Sequence, residues 1–576
     1  MEDLRHVYAE KGLAGIPRLL TLMDRNDFSP TFGCMDREYW LCRSTDFPSS
    51  IAQFGVHALA LAYAHDMPGN RYFRQPLLRK WVVAGIDYFT RIQKSDGSYD
   101  EFYPNERGWA GPTGFLLYAM CNSYRLIGGG EALTGELDSR FRAAVRKAGL
   151  FLSDRDEHGV LANHHAMAVL PIYEAYDLLG DPELLDGFKV RLDHFLTFCH
   201  DEGWCLEYDG ADLGYLSATV SFLGKLRQRG YTDERVERVI DRAVEFSSHF
   251  VYPDGHYAGT LGSRQTLHFY PHGYELLASR GEARSDLAAA VAQRMLRGLA
   301  DGKLVPPEIM DDRYFVYRVP EMLLSWVDYG GRPAVLPPLP YQQEPGYRRS
   351  WPGARMAVDR GERHYICVNL ARGGVFKLFD AEDETLLCSD AGIVAMLDDG
   401  RPVTSQWIDE RYHCHTRSEG ELDLVVDGDM HFVTTKLFSP VKMMAFRAGM
   451  LALGWHARLA HEIKGGIRQA LTTAARAAPV HFTRKIALSG GALTVTDTVT
   501  LEPATKLARL HVGGEFAARY VPQSRYFQVH ELDSPGLDVP EDRLDHINRT
   551  GALTIRRTFT VPGGKTTVEY VEDRVV

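Results

Sequence analysis

The spacing of apolar residues divides the chain into two parts with different secondary structure. As far as about residue 334, apolar side chains recur every three to four positions, which is the helical period. In residues 163–179 these positions are Ala166, Met167, Leu170, Tyr173 and Leu178. Gly180 is expected to end this helix, and Asp181-Pro182 to begin the next as N-cap and first helical residue.

The same period predicts a series of helices through the first part of the chain. They are drawn near residues 4–23, 50–65, 72–94, 113–127, 138–154, 183–199, 212–229, 233–250, 265–279 and 284–301. Their joins carry Gly, Pro, Asp and short aromatic loops, which indicates consecutive helical hairpins. No strict repeat of the sequence is visible, so a consensus solenoid is not predicted.

The second part of the chain alternates apolar and polar residues, as β-strands do. The alternation is clear in residues 364–370, 493–501 and 565–571, and Gly-Gly or Asp-Gly turns separate such runs. Many short strands without helices between them predict an antiparallel sandwich. The predicted domains are a helical catalytic domain over 1–334, a Pro-rich linker over 335–348 and a β-sandwich over 349–576.

Length and charge limit the classes of function. The 576 residues suffice for more than one domain, and a formal net charge of −11 argues against a general nucleic-acid binder. An anionic substrate would therefore need a local basic pocket. No P-loop, Gly-x-Ser-x-Gly elbow or Rossmann glycine fingerprint is present, which disfavours nucleotide and serine-hydrolase chemistry.

The sequence also carries expectations about compartment and membrane. No run is long and apolar enough to span a bilayer, and the start of the chain lacks the pattern of a signal peptide. None of the eight cysteines forms a Cys-x-x-Cys pair, so a zinc ribbon is not expected. The expected location is the cytoplasm, with reduced thiols.

The most informative candidate catalytic residues lie in two segments of the chain. One contains Asn163, His164 and His165, and the other contains Tyr215. Asn or a protonated His can hold a carboxylate and accept the negative charge that develops on it, and helix N-termini also attract anions. Tyr can exchange a proton when neighbours lower its pKa. The competing interpretation is a capped helix start with surface histidines.

Three loops between helices combine aromatic, acidic, amide and basic residues, which suits the apolar faces and hydroxyl rims of sugars. Candidate substrate-binding residues are Tyr103, Asn105, Arg107, His165, Glu207 and Arg264. Arg107 can pair with a uronate or with a neighbouring Glu, and the two interpretations are balanced. Arg264 and His268, predicted one helical turn apart, can face one cleft, and His268 is a fourth catalytic candidate.

Residues of the β half give weak evidence for a metal-binding site. His413 and His415 lie on one side of a predicted strand, with Asp427, Asp429, His431 and His456 as further possible ligands. Alternating residues on any exposed strand look alike, so a structural or solvent-facing role is preferred. No cofactor is expected to be required, although a structural zinc in this half remains an open alternative.

These residues and the two-part pattern resemble the heparinase II/III-like polysaccharide lyases, which include oligoalginate lyases. Asn163-His164 matches the family's Asn-His pair, Tyr215 its Tyr at a later helix start, and residues 100–109 its substrate loop. His413 and His415, or alternatively His364, match a catalytic and a zinc-binding His of the family's β half. The resemblance implies an (α/α) toroid followed by an antiparallel β-sandwich.

The resulting functional hypothesis is β-elimination at a uronic acid within an anionic poly- or oligosaccharide. Asn163 and His164, with Arg107 or Arg264, would neutralise the carboxylate, while Tyr215 transfers protons, alone or with His165, His268 or His413. The alternatives are an inverting glycoside hydrolase, a uronate C5-epimerase and a non-catalytic glycan-binding protein. The hydrolase would pair Asp100 or Glu101 with Glu207 or Asp212.

The sequence defines the biological role and the oligomeric state only broadly. Without an export signal, the chain would suit the use of imported oligosaccharides or a cluster of genes for exopolysaccharide synthesis. A monomer or a homodimer is expected.

Overall fold

A computed structural model describes most of the chain. The described residues are 3–101, 110–155, 161–257, 259–280, 284–417, 422–433, 439–454, 456, 459, 462, 476–514, 526–561, 563 and 565–571. The helices of the first part are α1 (Arg5–Ala14), α2 (Ile16–Leu22), α3 (Val56–Ala64), α4 (Pro76–Ile92), α5 (Ala110–Leu126), α6 (Gly135–Asp154), α7 (Ala162–Leu179), α8 (Pro182–Leu196), α9 (Leu213–Gln228), α10 (Glu234–Ser248), α11 (Pro271–Ala278), α12 (Ser285–Ala300) and α13 (Asp312–Val327).

Alternate helices form a closed inner ring. Helices α3, α5, α7, α9, α11 and α13 each contact the next, and α13 returns to contact α3. Helices α4, α6, α8, α10 and α12 pack outside this ring against their neighbours in sequence. An inner helix is enclosed on most sides, which explains why α9 is buried along almost its whole length. The predicted toroid of helical hairpins is confirmed.

Helix α13 closes the ring and was not predicted from the sequence. Asp311 caps it by accepting a hydrogen bond from the backbone N–H of Tyr314, and Pro320 lies inside it. An interior proline normally signals the end of a helix, because it removes a hydrogen bond and clashes with the preceding turn. Packing of α13 against α1, α3 and α11 offsets that cost.

The turn between α7 and α8 is the one that the sequence predicts. Gly180 adopts a left-handed conformation with φ of 70°, and the Asp181 side chain accepts from the N–H of Glu183. Pro182 occupies the first helical position, where no N–H is needed.

This cap gives a first prediction about stability. Asp181→Ala removes the side-chain acceptor of α8 and should lower the free energy of unfolding by about 1 kcal/mol. Urea denaturation followed by circular dichroism measures the change. Asp181→Asn keeps an acceptor at the cap and should recover most of the loss, whereas equal losses in both variants would contradict a capping role.

The second part of the chain forms two antiparallel sheets, as predicted. Its strands are β3 (Tyr347–Trp351), β4 (Met356–Arg360), β5 (His364–Asn369), β6 (Val375–Asp380), β7 (Thr385–Asp390), β8 (Ile393–Leu397), β9 (Pro402–Thr404), β10 (His413–Arg417), β11 (Asp423–Phe432), β12 (Ala477–Ser489), β13 (Ala492–Leu501), β14 (Leu507–Val512), β15 (Leu537–Asp538), β16 (Ala552–Thr560) and β17 (Thr566–Val571). Strands β3 to β7 form one sheet in sequential order. The other sheet has the order β15-β14-β8-β9-β11-β12-β13-β16-β17, and β10 pairs with β11.

The five-stranded sheet lies between the toroid and the larger sheet. Along β5, Tyr365 and Cys367 belong to the core shared with the helices, whereas Ile366 and Val368 belong to the core shared with the second sheet. The Tyr365 hydroxyl donates to the carbonyl oxygen of His249 at 2.6 Å. Because both faces of β5 are buried, this strand joins the two halves of the molecule.

Among the described residues, two helices interrupt the strands of the β half, although none was predicted there. They are α14 (Pro440–Leu453) and α15 (Glu541–Thr550), and α15 packs on β14 and β16. Across the described ranges, no helix is both long and apolar enough to cross a bilayer.

Candidate active site

The topology of the toroid brings the beginnings of its inner helices to one rim. Successive inner helices run in the same direction because an outer helix returns the chain between them. Asn163 and His164 lie in the first turn of α7, and Tyr215 lies in the first turn of α9. Residues far apart in sequence therefore meet at this rim, as a catalytic site requires.

Asn163 is fixed by a buried carboxylate rather than acting as a helix cap. Its backbone N–H and its side-chain Nδ2 both donate to Oε1 of Glu207, at 2.6 Å and 2.8 Å. Glu207 lies on the short strand β1 (Leu206–Glu207), which pairs with β2 (Gly210–Ala211). Since a side-chain amide has two N–H donors, Asn163 retains one for another acceptor. The structure thus joins two residues that the sequence nominated separately.

Arg264 is held between two tyrosine rings. Its guanidinium carbon lies 4.6 Å from the ring centroid of Tyr208 and 4.3 Å from that of Tyr215. Tyr208 takes a left-handed backbone conformation with φ of 60°, which is uncommon for a residue with a side chain. The Arg264 side chain is 7% exposed, and its Nε has no hydrogen-bond partner among the described residues. A buried cation therefore lies directly against the candidate proton-transfer residue.

The hydroxyl of Tyr215 shares a hydrogen bond with the hydroxyl of Tyr314, with the two oxygens 2.9 Å apart. Tyr314 comes from the unpredicted helix α13, so reasoning from the sequence missed it. The ring of His268 stacks on Tyr314 at 4.6 Å and lies 5.5 Å from the ring of Tyr526, which the β half contributes. Two of the four predicted catalytic residues, Tyr215 and His268, therefore belong to one connected group through Tyr314.

Residues 264–268 are not helical, which corrects the predicted spacing of Arg264 and His268. Helix α11 begins only at Pro271, so the two residues lie on the loop before it. Asp212 organises this loop, because its Oδ2 accepts from the N–H of Arg264 at 2.9 Å. Its Oδ1 accepts from the N–H of Tyr215 at 3.1 Å and caps α9, as the sequence predicts. One carboxylate thus fixes the backbones of both Arg264 and Tyr215.

The two histidines after Asn163 have different surroundings. His164 is partly exposed, and its ring meets the edge of Phe115 at 6.2 Å. His165 is buried and stacks on Phe198 at 4.7 Å. His164 can therefore contact a ligand at the rim of the toroid, whereas the packing of His165 favours a structural role over the predicted substrate binding.

Burial shifts the pKa values of Tyr215 and Glu207. It raises the pKa of Tyr215 well above its ordinary value of 10, and the positive charge of Arg264 acts in the opposite direction. Burial also raises the pKa of Glu207 to about 7, against the opposing effects of Arg264 and Asn163. Oε2 of Glu207 has no hydrogen-bond partner in the part of the chain that the structure describes. Glu207 therefore titrates near neutral pH.

The raised pKa of Glu207 gives a prediction about stability and pH. Its pKa is about 7 in the folded protein against an ordinary 4.5, so the folded state binds this proton more tightly than the unfolded chain. The free energy of unfolding should then fall as pH rises through this interval. Glu207→Gln cannot titrate and should reduce that fall by on the order of 2–3 kcal/mol.

Urea titrations of the wild type and of Glu207→Gln at pH 4.5 and pH 8 measure this difference. Glu183→Gln, on the exposed side of α8, is the matched control and should keep the slope of the wild type. Identical slopes for wild type and Glu207→Gln would show that Glu207 ionises normally.

Several other predicted residues lie outside the group or outside the described residues. Tyr103, Asn105 and Arg107 lie outside the described residues. Of the carboxylates nearby, Glu101 pairs with Arg313 at 2.7 Å, and Asp100 pairs with Lys94 at 2.7 Å.

The possible metal ligands of the β half do not converge. His413 and His415 are exposed on β10, opposite Asp427 and Val425. The carboxylates of Asp427 and Asp429 both contact His481, at 3.0 Å and 2.9 Å. The other candidates of the sequence are engaged elsewhere, since His431 pairs with Asp409 and His364 with Asp359, each at 2.8 Å. Within the described ranges, no group of three or more His, Cys, Asp or Glu side chains is arranged to hold a metal ion.

Comparison with solved structures finds several proteins to which this chain aligns. The chondroitin AC lyase of Streptomyces coelicolor A3, in complex with chondroitin sulphate, aligns with a TM-score of 0.50 and 13% identity, over 89% of this chain and 68% of the lyase. Heparinase III aligns with a TM-score of 0.47 and 10% identity, over 99% and 82% of the two chains. The heparan sulfate lyase HepC of Pedobacter heparinus aligns at 0.43 and 11%, over 96% and 75%.

Neither the protein-family models nor the curated protein sequences give a match to this chain. At such low identity, the likeness to the chondroitin AC lyase concerns the fold alone. The chain therefore has the architecture of that enzyme, a helical toroid followed by antiparallel β-sheets.

Proposed function

We propose that this protein is a polysaccharide lyase that cleaves a uronic-acid-containing poly- or oligosaccharide by β-elimination. The observation that carries the proposal is the position of Arg264, whose guanidinium lies 4.3 Å over the ring of a buried tyrosine, Tyr215. A proton on carbon next to a carboxylate is weakly acidic, so its removal needs a base and a cation close together. The pair supplies both in an enclosed site.

The largest energetic task is to stabilise the enolate-like intermediate that forms when C5 loses its proton. Preorganised donors and cations that face the developing charge perform such a task best in a dry site. Arg264 supplies the positive charge, and the second N–H of the Asn163 side chain supplies a hydrogen-bond donor. Glu207 is a positioning residue in this scheme because it orients Asn163 through the 2.8 Å hydrogen bond.

Tyr215 transfers the protons. In a syn elimination, its phenolate takes the proton from C5 and the resulting phenol gives a proton to the leaving 4-oxygen, so a single residue serves both steps. Arg264 favours the phenolate, whereas burial favours the phenol, and these opposing effects suit a group that alternates between the two. In an anti elimination, His164 or His268 would take one of the two roles.

The contacts of the carboxylates favour elimination over inverting hydrolysis. A hydrolase needs one carboxylic acid and one carboxylate on opposite sides of the scissile bond. The two oxygens of Asp212 accept backbone hydrogen bonds, and Glu101 is paired with Arg313. Oε1 of Glu207 is engaged by Asn163. For two of these carboxylates to act as the acid and base of a hydrolase, at least one of these hydrogen bonds or ion pairs would have to break.

A panel of uronate-containing glycans, sulfated and unsulfated, tests the proposal. We expect one of them to give a rise in ultraviolet absorbance from a 4,5-unsaturated uronate, with new reducing ends in equal amount. New reducing ends without absorbance would identify a hydrolase, and deuterium incorporation at C5 without cleavage would identify an epimerase. Binding without any chemistry would identify a glycan-binding protein.

A further inference from the structure

Two cysteines face each other at the base of the hairpin that leads into the candidate active site. Cys199 follows the end of α8, and Cys205 immediately precedes β1. Their sulfur atoms are 3.3 Å apart, and the thiol of Cys205 donates to the sulfur of Cys199. The two residues also pair across an antiparallel β-bridge.

The hydrogen bonds around the bridge define its type. The N–H of His200 donates to the carbonyl oxygen of Trp204 at 2.8 Å, and the N–H of Leu206 donates to that of Phe198 at 2.9 Å. These bonds flank the two cysteines, which therefore form a non-hydrogen-bonded pair. In such pairs the Cα atoms are about 4.5 Å apart, within the range of about 4.4–6.8 Å that a disulfide spans. Rotation of the side chains can bring the sulfurs to the bonding distance of about 2.05 Å.

We propose that Cys199 and Cys205 are a thiol–disulfide modification site that reacts with low-molecular-weight disulfides. The thiolate of Cys199 attacks one sulfur of the small disulfide, breaks its S–S bond and releases one small thiolate. The thiolate of Cys205, after losing its proton, attacks the sulfur of Cys199 and releases the second. Two protein thiols are oxidised, and one small disulfide is reduced to two small thiols.

The environments of the two sulfurs set the order of these steps. Cys199 is partly exposed, whereas Cys205 is 3% exposed. The hydrogen bond to Cys199, together with burial, raises the pKa of Cys205 well above its ordinary value of 9. Cys205 therefore remains a thiol while the more accessible sulfur of Cys199 reacts first, because Cys205 is almost fully buried.

The location connects this modification to the candidate active site. Cys205 is two residues before Glu207, whose carboxylate holds Asn163, and three before Tyr208, whose ring covers Arg264. A bond between Cys199 and Cys205 would tie the strand that carries Glu207 to the end of α8. The proposal goes beyond the proposed function and does not depend on it, because the bond forms or fails to form whatever the protein catalyses.

Peptide mapping after treatment with oxidised glutathione tests the proposal. A protease that cuts after glutamate cleaves at Glu202 and separates the two cysteines, so only a disulfide keeps their peptides together. We expect a linked pair that separates on reduction and an intact mass lower by about 2 Da. Free thiols at both positions, or a lasting glutathione adduct on Cys199 in the wild type, would overturn the proposal.

Two variants sharpen this test. Cys205→Ser removes the resolving thiol and should leave glutathione attached to Cys199. Cys388→Ser changes a partly buried cysteine on β7 and should keep the linked peptides of the wild type. Because the mapping of the wild type needs no substitution, a variant that fails to fold leaves the test intact.

Discussion

Tyr215→Phe should lower kcat of the elimination by about 10³-fold while changing KM by less than about threefold. The substitution removes the only group of Tyr215 that can exchange a proton and leaves the ring beneath Arg264 in place. Substrate binding should therefore persist while proton transfer stops. Initial rates from the absorbance of the unsaturated product measure kcat, and binding of the glycan to the inactive variant measures affinity.

Tyr314→Phe is the matched control for this prediction. It breaks the same 2.9 Å hydrogen bond between the two hydroxyls but keeps the hydroxyl of Tyr215. We expect kcat to fall by less than about tenfold, since only one neutral hydrogen bond is lost. A Tyr314→Phe variant as inactive as Tyr215→Phe would move the proton-transfer role to Tyr314 or to the pair. A fully active Tyr215→Phe would remove Tyr215 from the mechanism.

Arg264→Gln should lower kcat/KM by about 10²–10³-fold, because it removes the cation that faces the developing charge. It should also move the pH profile. The charge of Arg264 lowers the pKa of Tyr215, so its loss raises that pKa, and a higher pH is needed to form the phenolate. The rise of kcat/KM with pH should therefore shift to the alkaline side, which a series of initial rates across pH will show.

Arg264→Lys separates charge from shape. Lysine keeps a positive charge near Tyr215 but lacks the planar guanidinium that lies between the two tyrosine rings. The pH profile of this variant should shift less than that of Arg264→Gln, although its rate also falls. If both variants lose activity with an unchanged pH profile, Arg264 acts in binding alone and does not tune Tyr215.

The sequence predicted the architecture well because the pattern of apolar residues reports burial directly. Inner helices, turns such as Gly180-Asp181-Pro182 and alternating strands all have local signals. The same reasoning failed where a tertiary contact overrides a local signal. Helix α13 was not predicted, and its packing against α1, α3 and α11 accommodates the interior Pro320.

The residues of the candidate site could also be predicted only in part, because contacts between distant residues leave no local signal in the sequence. Asn163 and Tyr215 could be nominated as polar residues at the starts of apolar helices, and Glu207 and Arg264 as charged residues in loops rich in aromatic side chains. Their arrangement could not be predicted, since the contact of Asn163 with Glu207 joins residues 44 positions apart. The contact of Tyr215 with Tyr314 joins residues 99 positions apart, and no local pattern marks Tyr314. The helical spacing assumed for Arg264 and His268 was wrong because both lie on the loop before α11, where the carboxylate of Asp212 accepts from the N–H of Arg264.

The measurement that tests the central claim most directly is the mass balance of a single cleavage. A defined uronate oligosaccharide that the protein cleaves, as judged by new reducing ends, is digested to completion, and the masses of the products are measured by mass spectrometry. Elimination transfers no water to the products, so we predict that the two fragment masses sum to the mass of the substrate, with the unsaturation on one of them. Fragments that together exceed the substrate by one water, about 18 Da, would show hydrolysis. That result would contradict the assignment of Tyr215 and Arg264 as the centre of the reaction.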